Sequence, residues 1–213
     1  ALTNIVLNNG IRRIGENAFA GCQGLKTIEI PQSVTNIQKK IFMGCTNLRS
    51  LTLPFIGSER GNYSSSECVL GWLFPQTAAS GGENCIPVRQ YYQGGNYTFY
   101  IPASLQSVTI TDETLIPQGA FQNCSNLTSV VIGNSVTNIA KGAFSGCGSL
   151  ERMTLPFAGR SREANNWSET DCETSVGYIF GVDNYSGGKP ITIWGGPNSM
   201  SATYYIPKGL SNI

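Results

Sequence analysis

Leu25-Lys-Thr-Ile28-Glu-Ile30-Pro31-Gln-Ser-Val34-Thr-Asn-Ile37, running on to Ile41-Phe42-Met-Gly44-Cys45, returns almost unchanged later in the chain. The second copy is Leu127-Thr-Ser-Val130-Val-Ile132-Gly-Asn-Ser-Val136-Thr-Asn-Ile139, running on to Ala143-Phe144-Ser-Gly146-Cys147. Each copy advances 23 residues to the next leucine, Leu25 to Leu48 and Leu127 to Leu150. Leu2 opens another copy in the same frame, with Ile5, Leu7, Ile11, Ile14, Ala18, Phe19, Gly21 and Cys22 in matching slots. Leu105 opens one that is a residue shorter, carrying Val108, Ile110, Ile116, Ala120, Phe121 and Cys124. A unit this short cannot bury its own apolar side, so each must lean on its neighbours, and repetition decides the architecture before any single element does.

The spacing inside a unit predicts its local structure. In Leu-x-x-Ile-x-Ile the last two apolar residues are two apart and share one face of a short strand, and one such strand per turn stacks into a parallel sheet. The Val-x-x-Ile pair supplies a second inward-facing segment. Ala-Phe before Gly-Cys reads as one turn of helix whose Phe plugs the interior. A longer period lies above this one: Leu2 and Leu105 are 103 residues apart, and Leu25 and Leu127 are 102 apart. The chain therefore reads as two three-unit blocks, 2–104 and 105–209, with a third opening at Leu210. No polar cap is visible at either end, so a slice of a longer array is expected, with an apolar open end at Leu210 to Ile213 or packing that covers it.

The third unit of each block is expanded, over about 54–104 and 156–209. Both inserts begin alike, Leu53-Pro54-Phe55-Ile-Gly57 and Leu155-Pro156-Phe157-Ala-Gly159. Both then run through a Ser-, Asn- and Glu-rich loop to Leu70-Gly71-Trp72-Leu-Phe74 or Val176-Gly177-Tyr178-Ile-Phe180. We read the second motif as a displaced Ala-Phe turn, with Phe74 and Phe180 in the interior slot. After it, Val88 to Tyr92 with Tyr97 to Ile101, and Ile191 to Trp194 with Thr203 to Ile206, read as β-hairpins. Insertions in repeat proteins collect on one face and often mark where partners bind.

Composition narrows the function. Charged residues are 13% of the chain, about half of the roughly 25% usual in soluble domains. The net charge is +1 and no basic run follows a phosphate backbone, which argues against nucleic acid. No stretch approaches the roughly 18 apolar residues of a membrane helix, so this segment is not expected to insert in a membrane. The chain has no His, which leaves serine or cysteine nucleophiles without their usual base. The acidic residues Glu59, Glu67, Glu83, Glu163, Glu169, Asp171 and Glu173 cluster in the inserts. They read as solvated loop charges before a carboxylate pair or a calcium site, because the usual Asp-x-Asp-x-Asp-Gly order is missing. Neither a catalytic constellation, a metal site nor a cofactor is expected.

The repeated unit resembles the BspA-like (Treponema-type) leucine-rich repeat, and the Leu-Pro-Phe-x-Gly inserts look like a variant common in gut Firmicutes. The resemblance implies an α/β leucine-rich-repeat solenoid, a right-handed superhelix rich in strand, with short helical turns and hairpin inserts. It implies a cell-surface or secreted protein, in some members an adhesin for host extracellular or microbial surface proteins. The family offers no shared catalytic residues to carry over.

The strand positions between the core residues should face outward and form two rows. One runs Asn4, Thr27, Ser50, Ser107, Ser129 and Arg152, the other Val6, Glu29, Thr52, Thr109, Val131 and Thr154. Such a face is the usual contact surface of a solenoid, although Ser and Thr are also simply good uncharged strand residues. The insert aromatics Trp72, Tyr91, Tyr92, Tyr97, Trp167, Trp194, Tyr204 and Tyr205 could anchor a protein or stack on a sugar. Alternatively they pack the hairpins onto the solenoid. A protein-binding module, a glycan-binding module and a passive spacer all remain open at this point. Cys22, Cys45, Cys124 and Cys147 share one repeat slot and read as a ladder of buried thiols. A Cys68 to Cys85 bridge is an open alternative for an exported chain.

Overall fold

The structure is a computed structural model that describes residues 2–63, 67–92, 95–163, 172–193 and 201–213. The repeated strands stack in chain order as one five-stranded parallel sheet: Thr27–Glu29, Ser50–Leu53, Ser107–Ile110, Ser129–Ile132 and Arg152–Thr154. Ile28, Leu51, Val108, Val130 and Met153 lie side by side in register and all are buried. Ser50–Leu53 pairs directly with Ser107–Ile110, so the first insert leaves the sheet unbroken. A second side of the solenoid is built from two short parallel ladders, Arg13–Ile14 with Asn36–Ile37 and Leu115–Ile116 with Asn138–Ile139. There Val34, Ile37, Val136 and Ile139 fill the interior.

The first unit departs from the pattern. Residues 2–7 form no strand; Leu2 and Val6 are exposed and Ile5 and Leu7 only half-buried. Packing from one side alone gives this segment too little burial to offset the entropy of ordering it. Its slots in the sequence frame are correct, yet Thr27–Glu29 becomes the outer strand of the sheet.

The Ala-Phe segments are turns, where a turn of helix was expected. The N–H groups of Cys22, Cys45, Cys124 and Cys147 donate to the carbonyl of the Phe three residues earlier, while Phe19 N–H donates sideways to Ile41 and Phe121 N–H to Ala143. A helix would keep these donors to itself; here alternate donors tie each unit to the next. Asn17, Lys40, Gly119 and Gly142 occupy the matching slot just before each turn, all with φ between 60° and 73°, and a left-handed residue there stops a right-handed helix from starting. Helix appears in the expanded units, as a 3-10 turn over Leu70–Leu73 and an α-helix over Val176–Phe180.

Those helical segments place Phe74 and Phe180 in the interior slot, as the sequence indicates. Two ladders of three rings result. Phe19, Phe42 and Phe74 stack at centroid spacings of 5.6 and 5.8 Å, and Phe121, Phe144 and Phe180 at 4.8 and 6.2 Å. Both hairpins form, Cys85–Tyr92 with Gly95–Pro102 and Gly188–Ile193 with Ala202–Pro207. Each lies across the glycine of its helical motif. A Cβ on Gly71 would collide with the Phe99 ring, and one on Gly177 would come within 2.9 Å of the Tyr204 ring.

Two buried polar residues join the first insert to the second block. Gln90 is fully buried: its Oε1 accepts from Gly71 N–H at 2.8 Å and its Nε2 donates to the Ala120 carbonyl at 3.2 Å. Glu113, 1% exposed, stands directly before Thr114 as Val136 stands before Thr137, so a carboxylate occupies the slot that other units give to valine. The Tyr63 hydroxyl donates to Glu113 Oε1 at 3.1 Å, and Arg60 pairs with Asp112 alongside. Burial pushes the Tyr63 hydroxyl above its ordinary pKa.

All seven cysteines are free thiols, so Cys68 and Cys85 are not bridged. Cys45 and Cys147 donate to the carbonyls of Phe19 and Phe121 at 3.0 Å, and burial pushes both thiols up to about 12. Cys22 and Cys85 are half-buried, and the other five are buried. Reaction with a thiol reagent at pH 8 is therefore expected to be confined to Cys22 and Cys85 in the native protein, and to reach all seven after unreduced unfolding. Five thiols after unfolding would place a bridge in the chain.

Candidate functional site

Strand register settles which outward residues meet. Thr27, Ser50, Ser107, Ser129 and Arg152 form one continuous row, and Glu29, Thr52, Thr109, Val131 and Thr154 the next. Because side chains alternate along a strand, each row stands on the opposite face from Ile28, Leu51, Val108, Val130 and Met153. Thr27, Glu29, Arg152 and Thr154 are exposed; the Ser and Thr residues between them, with Val131, are half-buried by their own neighbours in the rows. The face is thus a strip of hydroxyls and one valine, with a carboxylate near one end and a guanidinium at the other. Neutral strand residues avoid the repulsion that stacking one charge in every unit would create.

At the Glu29 end the strip opens into a groove of about 460 Å³ lined by Asn4, Val6, Thr27, Glu29, Ser50 and Thr52 among others. It exists because residues 4–7 stand beside the outer strand without pairing to it. Asn4 and Val6 therefore flank the strip instead of extending its two rows.

Among the described residues, Trp72, Tyr91 and Tyr204 stand away from this face. Trp72 is half-buried, its Nε1 donates to the Ile37 carbonyl at 3.0 Å, and it lines a separate groove of about 290 Å³ with Arg13, Glu16, Lys39 and Glu67. That contact fastens the helical motif to the neighbouring turn. Tyr204 is fully buried, its hydroxyl accepting from Cys172 N–H at 3.0 Å, and Tyr205 is half-buried. Tyr91 and Tyr97 are exposed. Tyr92 ends its strand, with its side chain outside the described residues, and Trp167 and Trp194 also lie outside them.

Among the described residues the insert acids are likewise dispersed, and Glu169 and Asp171 lie outside them. Glu173 is held by Arg160 through both carboxylate oxygens at 2.8 and 2.9 Å, and Glu59, Glu83 and Glu163 are exposed. Among the described residues no three acidic or cysteine side chains are grouped to hold a metal ion, and no helix is long and apolar enough to cross a membrane. A further groove, around Tyr91, Lys141, Ser145 and Val182, escaped sequence reasoning because its residues come from four different units.

Comparison with known proteins places this geometry. The model of the BspA type leucine rich repeat region matches in six copies, over residues 1–70 and 93–173. No curated protein matches. Among solved structures the chain is similar to a leucine-rich repeat protein from Bacteroides ovatus, at 21% identity over 99% of this chain and 38% of that one, with a TM-score of 0.41. It is also similar to the leucine rich repeat protein of T. pallidum, at 21% identity over 68% of this chain and 53% of that one, with a TM-score of 0.32. A leucine rich cell surface protein from Faecalibacterium prausnitzii is similar at 22% identity over 65% and 44%, with a TM-score of 0.25. The chain spans less than two thirds of the length of each. With the family model matched over most of its length, the chain belongs to the BspA type leucine-rich repeat family.

Proposed function

We propose that this chain is a non-catalytic, adhesin-like binding module, displayed at the cell surface or secreted, that takes a protein partner on the concave face of its sheet and on the inserts. The observation that carries the reading is the in-register strip from Thr27 and Glu29 to Arg152 and Thr154. It is neutral along most of its length and backed by buried core residues, so a partner would meet hydroxyl groups whose positions are fixed in advance. Preorganisation of this kind lowers the entropic cost of binding. The repeat family and the description of the Faecalibacterium protein as a cell surface protein support the compartment. A host extracellular protein or a microbial surface protein is the partner class.

The test is binding of the immobilised chain to a panel of purified host extracellular-matrix proteins and bacterial surface proteins. At least one should bind, and Ser107→Arg with Ser129→Arg, which places two guanidinium groups mid-strip, should weaken it by about tenfold or more with the circular dichroism spectrum unchanged. Retention of full affinity by the double variant would remove the sheet from the interface. Failure of every protein to bind would favour a passive spacer.

A further inference from the structure

The polar groove on the turn side of the solenoid has a different construction from the sheet face. Tyr91 closes one end, and Gln118, Lys141, Ser145 and Asp183 contribute polar groups around a volume of about 110 Å³. Tyr91 is 39% exposed and is held in place from below: its N–H donates to Gln122 Oε1 at 2.6 Å, and its carbonyl rests so close to Gly119 that a Cβ there would collide with it. Ser145, 8% exposed, lines the groove beside Lys141 and Gly142.

Comparison of the two blocks shows why the groove is open. The second block has Gly119, Gly142 and Gly181 along the floor, where the first block has Asn17, Lys40 and Pro75 at the corresponding places. Left-handed backbone alone does not demand glycine here, since Asn17 and Lys40 both hold φ of 60°. At Gly142 a Cβ would meet only Ser145 Cβ, at 3.9 Å. The missing side chain there leaves space in front of the Ser145 hydroxyl.

We propose that this groove binds one pyranose ring of a glycan. Its volume is far below the roughly 300–1,000 Å³ of a site for a drug-sized molecule and suits a single ring. A sugar presents hydroxyls that both donate and accept, together with apolar C–H faces. The Gln118 amide, the Asp183 carboxylate and the Ser145 hydroxyl supply both kinds of partner, and Tyr91 supplies an exposed aromatic surface. Val182, 48% exposed, adds an apolar edge beside these polar groups. The groove shares no residue with the strip on the sheet, so the glycan test and the sheet variants of the protein-binding test read out separately.

Saturation-transfer NMR with the methyl glycosides of a neutral hexose, an N-acetylhexosamine and a hexuronic acid tests it. At least one glycoside should receive saturation from the wild-type chain. Tyr91→Ala and Ser145→Ala should each weaken binding by about fivefold or more. Gly142→Lys, which restores the residue of the first block in a backbone conformation that Lys40 already adopts, should abolish it. Arg152→Ala, on the sheet face, should leave it unchanged. Absence of transfer to all three glycosides would overturn the proposal, and so would undiminished transfer to a folded Gly142→Lys variant.

Discussion

Gly57→Ala is expected to destabilise the protein by about 3 kcal/mol or more, through backbone strain and collision acting together. Gly57 has φ of 86°. An added Cβ would land on the Glu67 carbonyl oxygen and lie 2.8 Å from Cys68 Cα, and both are main-chain atoms that cannot swing aside. The residue closes the Leu53-Pro54-Phe55-Ile-Gly57 motif, in which Phe55 and Ile56 are buried. There the chain turns out into the insert loop and returns, with Ser58 N–H donating to the Glu67 carbonyl at 2.9 Å. The same loop carries Arg60 and Tyr63 to Asp112 and Glu113, so the damage should extend into the contact between the blocks. Gly159 repeats the arrangement with φ of 81° against the Glu173 carbonyl. Urea unfolding followed by Trp fluorescence measures the loss. Gly10→Ala, where a Cβ meets nothing within 4 Å, should stay within about 0.5 kcal/mol of wild type. A Gly57→Ala variant equally close to wild type would show that the loop does not close on the glycine.

How much of this was legible beforehand depends on the range of the interaction. Apolar slots such as Ile28, Val34 and Phe42 could be read from the repeat because each unit solves the same burial problem with the same spacing. The rows from Thr27 to Arg152 followed from the alternation of strand side chains. Phe74 and Phe180 could be placed because an interior one ring wide admits one ring per turn. Gln90 could not be read this way: its burial depends on a hairpin meeting the Gly71 amide and the Ala120 carbonyl of another unit. Glu113 was hidden by the one-residue deletion in its unit, and its place in the valine slot emerged only from the pairing of Leu115–Ile116 with Asn138–Ile139. The Ala-Phe turns were taken for helix because a local apolar pattern does not reveal that their N–H groups donate to the next unit. Sequence alone left Trp72 between binding and packing; its indole N–H donates to the Ile37 carbonyl while its ring lines a groove.

Phe144→Ala is expected to cost about 3–5 kcal/mol, the range for truncating a fully buried aromatic side chain, and its spatial reach should reveal how the array holds together. Phe144 lies between Phe121, nearly parallel at 8° and 4.8 Å, and Phe180 at 6.2 Å, so its removal deprives two rings of a neighbour. Phe19, at the end of the other ladder, has Phe42 as its ring neighbour and is 8% exposed, and its truncation should cost about half as much. The backbone bond from Phe144 N–H to the Ile179 carbonyl, at 2.9 Å, ties the same turn to the helical motif of the second insert. That motif in turn holds the second hairpin through Gly177 and Tyr204. In a stack coupled through nearest neighbours, a defect should loosen the units it touches before distant ones. Amide exchange in Phe144→Ala should therefore accelerate across Val176–Phe180 and Gly188–Ile193 while Thr27–Glu29 and Ser50–Leu53 keep their protection. Uniform acceleration over both blocks would mean that Gln90, Glu113 and the shared sheet bind the two blocks into one cooperative unit, and that the inserts stiffen the junction instead of decorating it.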